Sequence, residues 1–407
     1  MRPHTVIIGG GPAGFFAAIT CKTLKPELDV ILLEKTQVLL TKVRISGGGR
    51  CNVTHACFEP ALLAKNYPRG SKELLGPFNR FQAEDTVKWF EAKGVELKVE
   101  ADGRMFPTSD SSETIIKCLT EEAKKVGVSI CTGMSVEEIK QQPSGFSLSI
   151  ANAESMECDK LLIATGSNPK ALSMIQSLGH TVEKLVPSLF TFNCPTSPLL
   201  DLAGIALDRV HLQIQDTQLE LTGPLLITHW GFSGPCVLKL SAWGAKELFQ
   251  MGYKAKLIIN WLGDRKITEV QKILQDMRSM PESKFVIATP LFGLPKNLWK
   301  KLALLCGISE ELRFQALSNK QLMQFVEKLC RDIYQIDGKT TYKQEFVTCG
   351  GIKLDEVNFK TMESKIVPHL YFAGEVLNID GITGGFNFQN AWTTGYLSGK
   401  ALASVAE

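Results

Sequence analysis

Residues Thr5-Val-Ile-Ile-Gly-Gly-Gly-Pro-Ala-Gly14 form an apolar strand that runs into the spacing Gly9-x-Gly11-x-x-Gly14, and an apolar helix is predicted after it over Phe15–Leu24. In a dinucleotide-binding turn the first glycine leaves the strand sharply, the second lets backbone approach a pyrophosphate, and the third lets helix and strand pack closely. The N–H groups and positive dipole end of the helix then face the diphosphate. This stretch predicts a Rossmann-type α/β fold.

An acidic residue follows at the distance that such a fold requires. A second apolar strand, Val30–Leu33, ends at Glu34, which lies 20 residues after Gly14. A carboxylate there accepts hydrogen bonds from the adenosine ribose hydroxyls and would repel a 2′-phosphate. The two motifs therefore predict FAD or NAD rather than NADP. A glycine-rich turn in an unrelated α/β domain is disfavoured because strand, spacing, helix and acid all agree.

Length and composition bound the class of protein. The chain has 407 residues, enough for two or three domains, with 44% hydrophobic and 21% charged residues, as in ordinary globular proteins. Its net charge is only +3 and no run of Lys or Arg occurs, so nucleic-acid binding is not expected, although it is not ruled out.

The chain opens directly on its first strand and has no apolar run that could span a bilayer, which predicts a cytoplasmic protein. Its 11 cysteines are scattered without a CxxC pair or metal-ligand spacing, so we expect neither disulfides nor a metal site.

A glycine triplet follows in Lys42-Val-Arg-Ile-Ser-Gly-Gly-Gly-Arg-Cys-Asn52. We interpret this stretch as a loop whose unobstructed backbone N–H groups lie against a ligand. Lys42, Arg44 and Arg50 would neutralise a phosphate or the anionic edge of a flavin. A flexible surface loop is the alternative, but such loops are usually mixtures of Ser, Gly and polar residues.

Ser46-Gly-Gly-Gly-Arg-Cys-Asn52, with Lys42 before it and Thr54 after it, resembles the signature of the flavoproteins called YhiN-like, BaiN-like or aminoacetone-oxidase-like, which are NAD(P)/FAD-dependent oxidoreductases. The resemblance extends over almost the whole chain, through the segments Gly103–Pro107, Ala164–Gly166, Thr228–Pro235, Thr361–Lys365, Gly374–Glu375 and Gly384–Gln389. One departure is that Ser167 leads at once into a predicted helix, where the family carries a longer glycine-rich stretch. The resemblance implies an FAD-binding domain of the two-dinucleotide-binding flavoprotein type with FAD as cofactor, and it leaves NAD(P)H open as a transient electron donor.

The chain is expected to divide into three parts. A Rossmann-type FAD-binding domain comprises residues 1–187 and 346–407, an inserted small β-barrel-like or sandwich domain residues 188–264 and 336–345, and a helical subinsert residues 265–335. In the first domain, helices are predicted near Glu84–Lys93 and Ser111–Val126 and strands near Glu96–Glu100, Ser129–Thr132 and Phe146–Ile150. The inserted part has β-like runs at Leu189–Cys194, Ala206–Gln215, Leu225–His229 and Ala255–Asn260, and helices at Cys236–Leu248, Thr268–Met280, Lys296–Leu305 and Asn319–Cys330.

The fingerprint and the segments of resemblance together give the expected FAD contacts. They are Gly9, Gly11, Pro12, Ala13, Gly14, Glu34, Lys35, Lys42, Gly48, Gly49, Arg50, Cys51, Asn52, Val136, Thr165, Gly166, Gly374, Glu375, Asp380, Gly384, Gly385, Phe386 and Asn387. The resemblance implies a backbone contact to adenine at Val136 and an acid for the ribityl and phosphate groups at Glu375. A terminal helix, predicted over Gln389–Val405, would direct its N-terminus at the flavin pyrimidine and stabilise negative charge on the reduced ring.

Two side chains are candidates for catalysis. His229, in Thr-His-Trp-Gly-Phe-Ser-Gly-Pro235, could exchange protons near neutral pH, and a buried structural histidine is the alternative. Arg104 could face the flavin side of the pocket, and an exposed turn arginine is the alternative. Cys51 could form a flavin adduct or relay electrons, but with only Cys57 nearby in sequence we favour a packing role.

The expected activity is that of an FAD-dependent oxidoreductase, which moves a hydride or two electrons between the flavin and a small organic substrate or NAD(P)H. An oxidase would need a general base, for which His229 is the candidate. A reductase would need a basic patch near the flavin, for which Arg44, Arg50 and Arg104 are candidates. A flavin-dependent RNA-modifying enzyme and a flavin-bound binding protein without turnover are the alternatives, and the small net charge weighs against RNA.

Overall fold

The computed structural model describes residues 5–282, 284–340 and 347–404, and these form two compact units. One unit holds the described residues through Pro187 together with those from Val347 onward, and the other holds those from Ser188 to Thr340. The predicted end of the terminal helix at Val405 and the segment 341–345 of the expected β domain lie outside the described residues. In the part of the chain that is described, no helix combines the length and apolar character needed to cross a bilayer.

A largely parallel sheet forms the centre of the first unit. Its strands, in spatial order, are Val357–Asn358, Glu363–Ser364, Leu370–Phe372, Lys160–Ile163, Thr5–Ile8, Val30–Glu34 and Ser129–Thr132. The strand Thr5–Ile8 is buried at every position, as expected for a central strand of a sheet that is covered on both faces. Because it pairs in parallel with Lys160–Ile163 and Val30–Glu34, the carboxyl ends of these strands meet at one edge of the sheet.

The first and last helices of the unit pack closely against each other. The first spans Pro12–Leu24, and the terminal helix spans Phe386–Ala403, beginning three residues before its predicted start. A Cβ atom on Gly395 would lie 2.7 Å from the Ala13 carbonyl oxygen, and one on Gly399 would lie 2.5 Å from the Ala17 carbonyl oxygen. Small residues one turn apart on each helix therefore let the two backbones come into contact.

The remaining elements of the first unit surround this layer. Its other helices are Thr41–Gly49, Pro60–Ala64, Ser71–Phe78, Ala83–Glu91, Ser112–Lys125 and Pro169–Ser177, with short 3₁₀ turns at Leu354–Glu356 and Gly374–Val376. Smaller sheets pair Thr54–His55 with Arg104–Pro107 and Leu97–Val99, Val136–Gln142 with Gly145–Ile150 and Met156–Cys158, and Val182–Ser188 with Val347–Ile352. The predicted helices and strands of this part lie within a few residues of the observed ones.

The second unit is built on an antiparallel sheet that closes on itself. The strands, in spatial order, are Asp332–Asp337, Lys254–Asn260, Ala206–Ile214, Glu220–Thr228, Gly231–Ser233, Thr191–Asn193 and Lys339–Thr340. The first and last of these are joined through Gly338, which donates to the Tyr253 carbonyl at 2.9 Å and accepts from Asn193 N at 3.1 Å. The series of strand pairings therefore returns to its starting point, which is the arrangement of a barrel.

Helices cover the buried side chains of this barrel. They are Pro235–Trp243, Ala245–Gln250, Ile267–Ser279, Lys296–Leu305 and Asn319–Cys330, with 3₁₀ turns at Leu200–Leu202 and Phe314–Ala316. The helix expected over Cys236–Leu248 is interrupted at Gly244, and the strand Asp332–Asp337 begins within the segment expected to be helical. Trp261 and Trp299 are fully buried in the apolar core that barrel and helices share.

Candidate functional site

The turn Gly9–Gly14 leaves an open space in front of the first helix. A Cβ atom on Gly9 would lie 2.4 Å from the Ala164 carbonyl oxygen, and one on Gly14 would lie 2.0 Å from the Gly9 carbonyl oxygen, so neither position tolerates a side chain. A Cβ atom on Gly11, by contrast, would meet no atom within 4 Å. Because the N–H groups in the first turn of a helix have no acceptor within it, this space fits an anionic diphosphate.

Glu34 is fixed beside that turn by backbone donors. Gly10 N donates to its Oε2 and Thr36 N donates to its Oε1, both at 2.9 Å. The Glu34 carbonyl accepts from Met134 N at 2.9 Å, which brings the segment before the buried Val136 to the same edge of the sheet. The carboxylate oxygen Oε2 keeps a lone pair for a ribose hydroxyl.

Two further strand ends meet beside the fingerprint turn. Thr165 Oγ1 is buried and has no hydrogen-bond partner among the described residues, and such a group costs free energy unless a ligand satisfies it. Glu375 Oε2 lies 3.6 Å from the Cβ position of Gly166. Glu375 accepts from Thr348 N at 3.1 Å and forms an ion pair with Lys42, whose side chain is about half exposed. Polar groups therefore follow the sheet edge from the fingerprint turn to Glu375.

The stretch that the sequence analysis predicted to be a loop begins with a helical turn, and the glycine triplet follows it with non-helical backbone. The helix spans Thr41–Gly49, and its backbone leaves the helical region at Ser46 before turning left-handed at Gly47 and Gly48. The loop prediction therefore holds for the triplet and is wrong only for the helical turn before it, which the high glycine content obscured. A Cβ atom on Gly48 or Gly49 would meet no atom within 4 Å, so the backbone there remains open to a ligand.

Cys51 follows the triplet and is fully buried. Burial raises the pKa of its thiol to about 12, against a smaller opposite effect of a hydrogen bond with Ser46. Thiolates, and not thiols, attack electrophiles and exchange electrons readily. This environment therefore favours packing over a flavin adduct.

The start of the terminal helix is held from several sides. The Asn52 side-chain amide, with its nitrogen towards Thr54 O and its oxygen towards Gly385 N, bonds both at 3.0 Å. Tyr67 donates its hydroxyl to the Phe386 carbonyl at 2.6 Å. A Cβ atom on Gly385 would lie 2.5 Å from the Thr54 carbonyl oxygen. These contacts place the helix N-terminus firmly against the segment that follows the glycine triplet.

Arg69 is a residue of the site region that the sequence analysis did not identify. It forms a bidentate ion pair with the fully buried Asp380, in which Nε lies 2.5 Å from Oδ1 and Nη2 contacts Oδ2. Asn387 both donates to and accepts from the Gly381 backbone at 2.9 Å. Asp380 and Asn387 thus brace the loop ahead of the terminal helix, and their direct contact with a cofactor stays a prediction. No local pattern marks Arg69, because 311 residues separate it from its partner.

The three arginines expected to form a basic patch all have carboxylate partners. The pairs are Arg44 with Glu113, Arg50 with Glu100, and Arg104 with Asp102 and Glu100. The guanidinium carbons of Arg50 and Arg104 lie 4.0 and 5.4 Å from the ring centroid of Phe106. Because these ion pairs are partly exposed, they reduce the positive potential of the patch without fixing the side chains rigidly.

His229 lies in the second unit, in the turn between Glu220–Thr228 and Gly231–Ser233, and its side chain is exposed. The alternative of a buried structural histidine is therefore wrong, and a catalytic role for His229 stays a prediction. Lys35 is also exposed, and its contact with a cofactor likewise stays a prediction.

A Ser-His-Glu arrangement occurs in the first unit. His180 Nε2 lies 2.8 Å from Ser364 Oγ, and His180 Nδ1 lies 3.0 Å from Glu356 Oε2. Ser364 Oγ also accepts hydrogen bonds from Ile366 N and Val367 N, at 2.9 and 2.7 Å. Both of its lone pairs are thereby occupied, so the hydroxyl lacks the free pair that a nucleophile needs. We interpret this network as structural.

Taken as a set, the residues along the sheet edge fit FAD. The space beside Gly11 suits the diphosphate, and Glu34 suits the adenosine ribose. The hydroxyl of Thr165, which has no partner within the described part of the chain, suits the ribityl chain together with Glu375. The N-terminus of the terminal helix adds a positive dipole end for the flavin ring.

Known proteins match the chain from end to end. The family model of the HI0933-like protein Rossmann domain matches residues 3–401. A 3-dehydro-bile acid delta(4,6)-reductase of Clostridium scindens is 28% identical over 409 residues, which cover 98% of each chain. A ribosomal RNA dihydrouridine synthase of Escherichia coli is 29% identical over 418 residues, which cover 99% of each chain.

A solved structure shows the same fold. The 3-ketosteroid-delta4-(5alpha)-dehydrogenase from Rhodococcus jostii RHA1 matches with a TM-score of 0.52 and 14% identity, over all of both chains. Together with the family match, this similarity confirms the Rossmann-type FAD-binding α/β fold and supports FAD as the cofactor.

Proposed function

Because the chain belongs to the HI0933-like protein Rossmann domain family and is an FAD-dependent oxidoreductase, we propose that it reduces a carbon–carbon double bond conjugated with a carbonyl group. The observation that carries this proposal is the chemistry shared by the relatives that span the whole chain. One is named for reducing the delta(4,6) bonds of a 3-dehydro bile acid, in which the 3-oxo group activates them. The other is named for making dihydrouridine, in which a ring double bond next to a carbonyl is saturated.

The chain's own residues divide the work of binding between the two ends of the cofactor. The space beside Gly11 and the carboxylate of Glu34 hold the adenosine diphosphate half, and Thr165 and Glu375 hold the ribityl chain. The start of the terminal helix stabilises negative charge. Bound FAD supplies two-electron hydride chemistry, with NAD(P)H as the proposed donor.

A small organic molecule is the substrate class that the first unit favours. Arg44, Arg50 and Arg104 are each engaged by carboxylates, so the surface beside the glycine triplet offers little unpaired positive charge for a polyphosphate backbone. Arg104 and His229 remain the candidate catalytic residues, and a cytoplasmic location remains a prediction.

A uridine within RNA is the second candidate substrate. The two relatives named as ribosomal RNA dihydrouridine synthases favour it. Residues 188–342 contain 18 Lys and Arg against 14 Asp and Glu, a net charge of +4, so the net charge of this unit does not oppose the approach of an RNA backbone.

Anaerobic half-reactions test the proposal. The FAD-loaded protein is first reduced with NADH or NADPH and then mixed with 2-cyclohexen-1-one, with a ribosomal RNA fragment that contains unmodified uridine, or with oxygen. Faster reoxidation by the enone than by oxygen, with formation of cyclohexanone, is the expected result. Reoxidation by the RNA alone would select the second candidate, and reoxidation by oxygen alone would refute both reductase proposals.

A further inference from the structure

The imidazole of His55 occupies a space that two glycines leave for it. A Cβ atom on Gly103 would lie 2.5 Å from His55 Cε1, and one on Gly384 would lie 3.4 Å from His55 Cδ2. The ring stacks on Phe386, with centroids 4.8 Å apart and planes 19° from parallel. Gly103 and Gly384 lie in two of the segments that carry the family resemblance, and Thr54, next to His55, belongs to a third. These segments are distant in sequence and meet at a side chain that the sequence analysis did not use.

The ring is held in a defined orientation. His55 Nε2 lies 3.1 Å from the Asp102 carbonyl oxygen, and it is the donor because a carbonyl oxygen only accepts. His55 and Arg104 are directly opposite each other on antiparallel strands, so their side chains lie on the same face of that small sheet. With Nε2 carrying the proton of the neutral ring, Nδ1 is the atom that gains one when the ring becomes charged.

Charged and titratable groups lie on the strand side and on the helix side of His55. On the strand side, Arg104 is balanced by Asp102 and Glu100, with N–O distances of 2.7 and 2.9 Å. On the helix side the titratable group is Tyr67, whose hydroxyl donates to the backbone of the helix start. Burial raises the pKa of Tyr67 well above its usual value, so this group stays neutral.

We propose that His55 takes up a proton when the flavin is reduced and thereby sets the reduction potential, an inference that rests on the proposed function and on FAD being held at the Gly384–Phe386 turn. A hydride brings two electrons and one proton to the flavin and leaves one negative charge on the reduced ring. His55 gains one proton from solvent, and its positive charge balances that negative charge. The charged imidazole contacts the turn directly, so it adds to the positive end of the terminal helix dipole.

The potential of the FAD-loaded protein, measured against reference dyes between pH 7 and 8 with dithionite as reductant, tests this inference. For a two-electron couple, each proton taken up changes the oxidised-to-reduced ratio about tenfold per pH unit, or about 30 mV. In the wild-type protein we expect uptake by both flavin and His55, hence a change of about 100-fold per pH unit. His55→Gln should retain only the tenfold change.

His211→Gln is the matched control, because His211 lies in the second unit and its Nδ1 is 3.0 Å from Thr222 Oγ1. It should keep the wild-type pH dependence. An equal pH dependence in wild type and His55→Gln would overturn the inference. Should His55→Gln not bind FAD, NMR of ¹⁵N-labelled wild type decides instead: titration of the His55 ring must move to higher pH on reduction, and an unchanged titration refutes the inference.

The two proposals fail separately. Dithionite replaces both the nicotinamide donor and the organic acceptor, so the pH dependence is measured whether or not an enone is reduced. A protein that shows the predicted pH dependence but leaves every enone unreduced would contradict the proposed function and support the role of His55.

Discussion

Replacing Gly11 with alanine tests the space in front of the first helix while leaving the fold intact. Gly11 has φ −93° and ψ −176°, which any residue adopts, and the added Cβ atom would meet no protein atom within 4 Å. Alanine is a poorer helix N-cap than glycine by up to about 1 kcal/mol. It also lowers the conformational entropy of the unfolded chain, which stabilises the folded protein by about 0.4–1 kcal/mol. Because these effects oppose each other, the free energy of unfolding of the apoprotein should change by less than about 0.5 kcal/mol.

FAD binding by the same variant should weaken strongly. The new methyl group occupies the space through which a diphosphate reaches the N–H groups of the helix. Loss of one charge-assisted hydrogen bond costs about 1.5–3 kcal/mol, which raises the Kd about 10- to 150-fold. Titration of the apoprotein with FAD, followed by quenching of flavin fluorescence, measures the Kd, and urea unfolding measures the stability.

Gly14→Ala is the matched control with the opposite outcome. Its Cβ atom would lie 2.0 Å from the Gly9 carbonyl oxygen, so backbone must move and the apoprotein should lose about 2 kcal/mol or more of stability. A Gly11→Ala protein that binds FAD within twofold of the wild-type affinity would refute the assignment of the diphosphate to this turn.

Further predictions concern buried polar groups. Burial lowers the pKa of His180, so the neutral ring stabilises the fold fully above the unfolded pKa of about 6.5, and this stability is lost below it by up to about 1.4 kcal/mol per pH unit. Urea unfolding at pH 7 and pH 5 should show that the free energy of unfolding depends less on pH in His180→Asn than in the wild type. An unchanged pH dependence would contradict this cause. Mass spectrometry after treatment of the native protein with iodoacetamide should find Cys51 unmodified and the partly exposed Cys131 alkylated, whereas fast alkylation of Cys51 would disprove its inert environment. In the second unit, Asp332→Asn should lower the free energy of unfolding by about 2 kcal/mol, because the buried carboxylate accepts hydrogen bonds from a lysine, a tryptophan and a tyrosine. Asp337 is exposed on the same strand, and Asp337→Asn should change the free energy of unfolding by less than about 0.5 kcal/mol. Equal effects of the two substitutions would refute the argument.

Local sequence patterns were sufficient to predict the nucleotide-binding half of the fold. The strand Thr5–Ile8, the glycine spacing after it and the acid at Glu34 all lie within one βαβ unit, where turn geometry and helix packing depend on neighbouring residues. The helices Lys296–Leu305 and Asn319–Cys330 were predicted to the residue, because their apolar positions recur at the helical period and a Ser318 capping box marks the start of the second.

The parts that local patterns missed depend on contacts between distant segments. The short ladder that sets His55 opposite Arg104, and the ion pair between Arg69 and Asp380, join residues that no spacing rule connects. The helical turn at the start of Thr41–Gly49 was missed for a different reason, since the three glycines after it favoured a loop for the whole stretch. A barrel-like insert was predicted from the sequence, but its closure through Gly338 depends on the order of strands in space, which no single strand specifies.

The visible absorbance spectrum of the purified protein, reconstituted with FAD and recorded anaerobically before and after addition of NADH or NADPH, tests the central claim most directly. We predict a bound-flavin spectrum that bleaches when the pyridine nucleotide is added. A protein that retains no flavin after reconstitution would contradict the cofactor site along the sheet edge. A flavin spectrum that neither nucleotide bleaches would contradict the proposed electron donor while leaving that site intact.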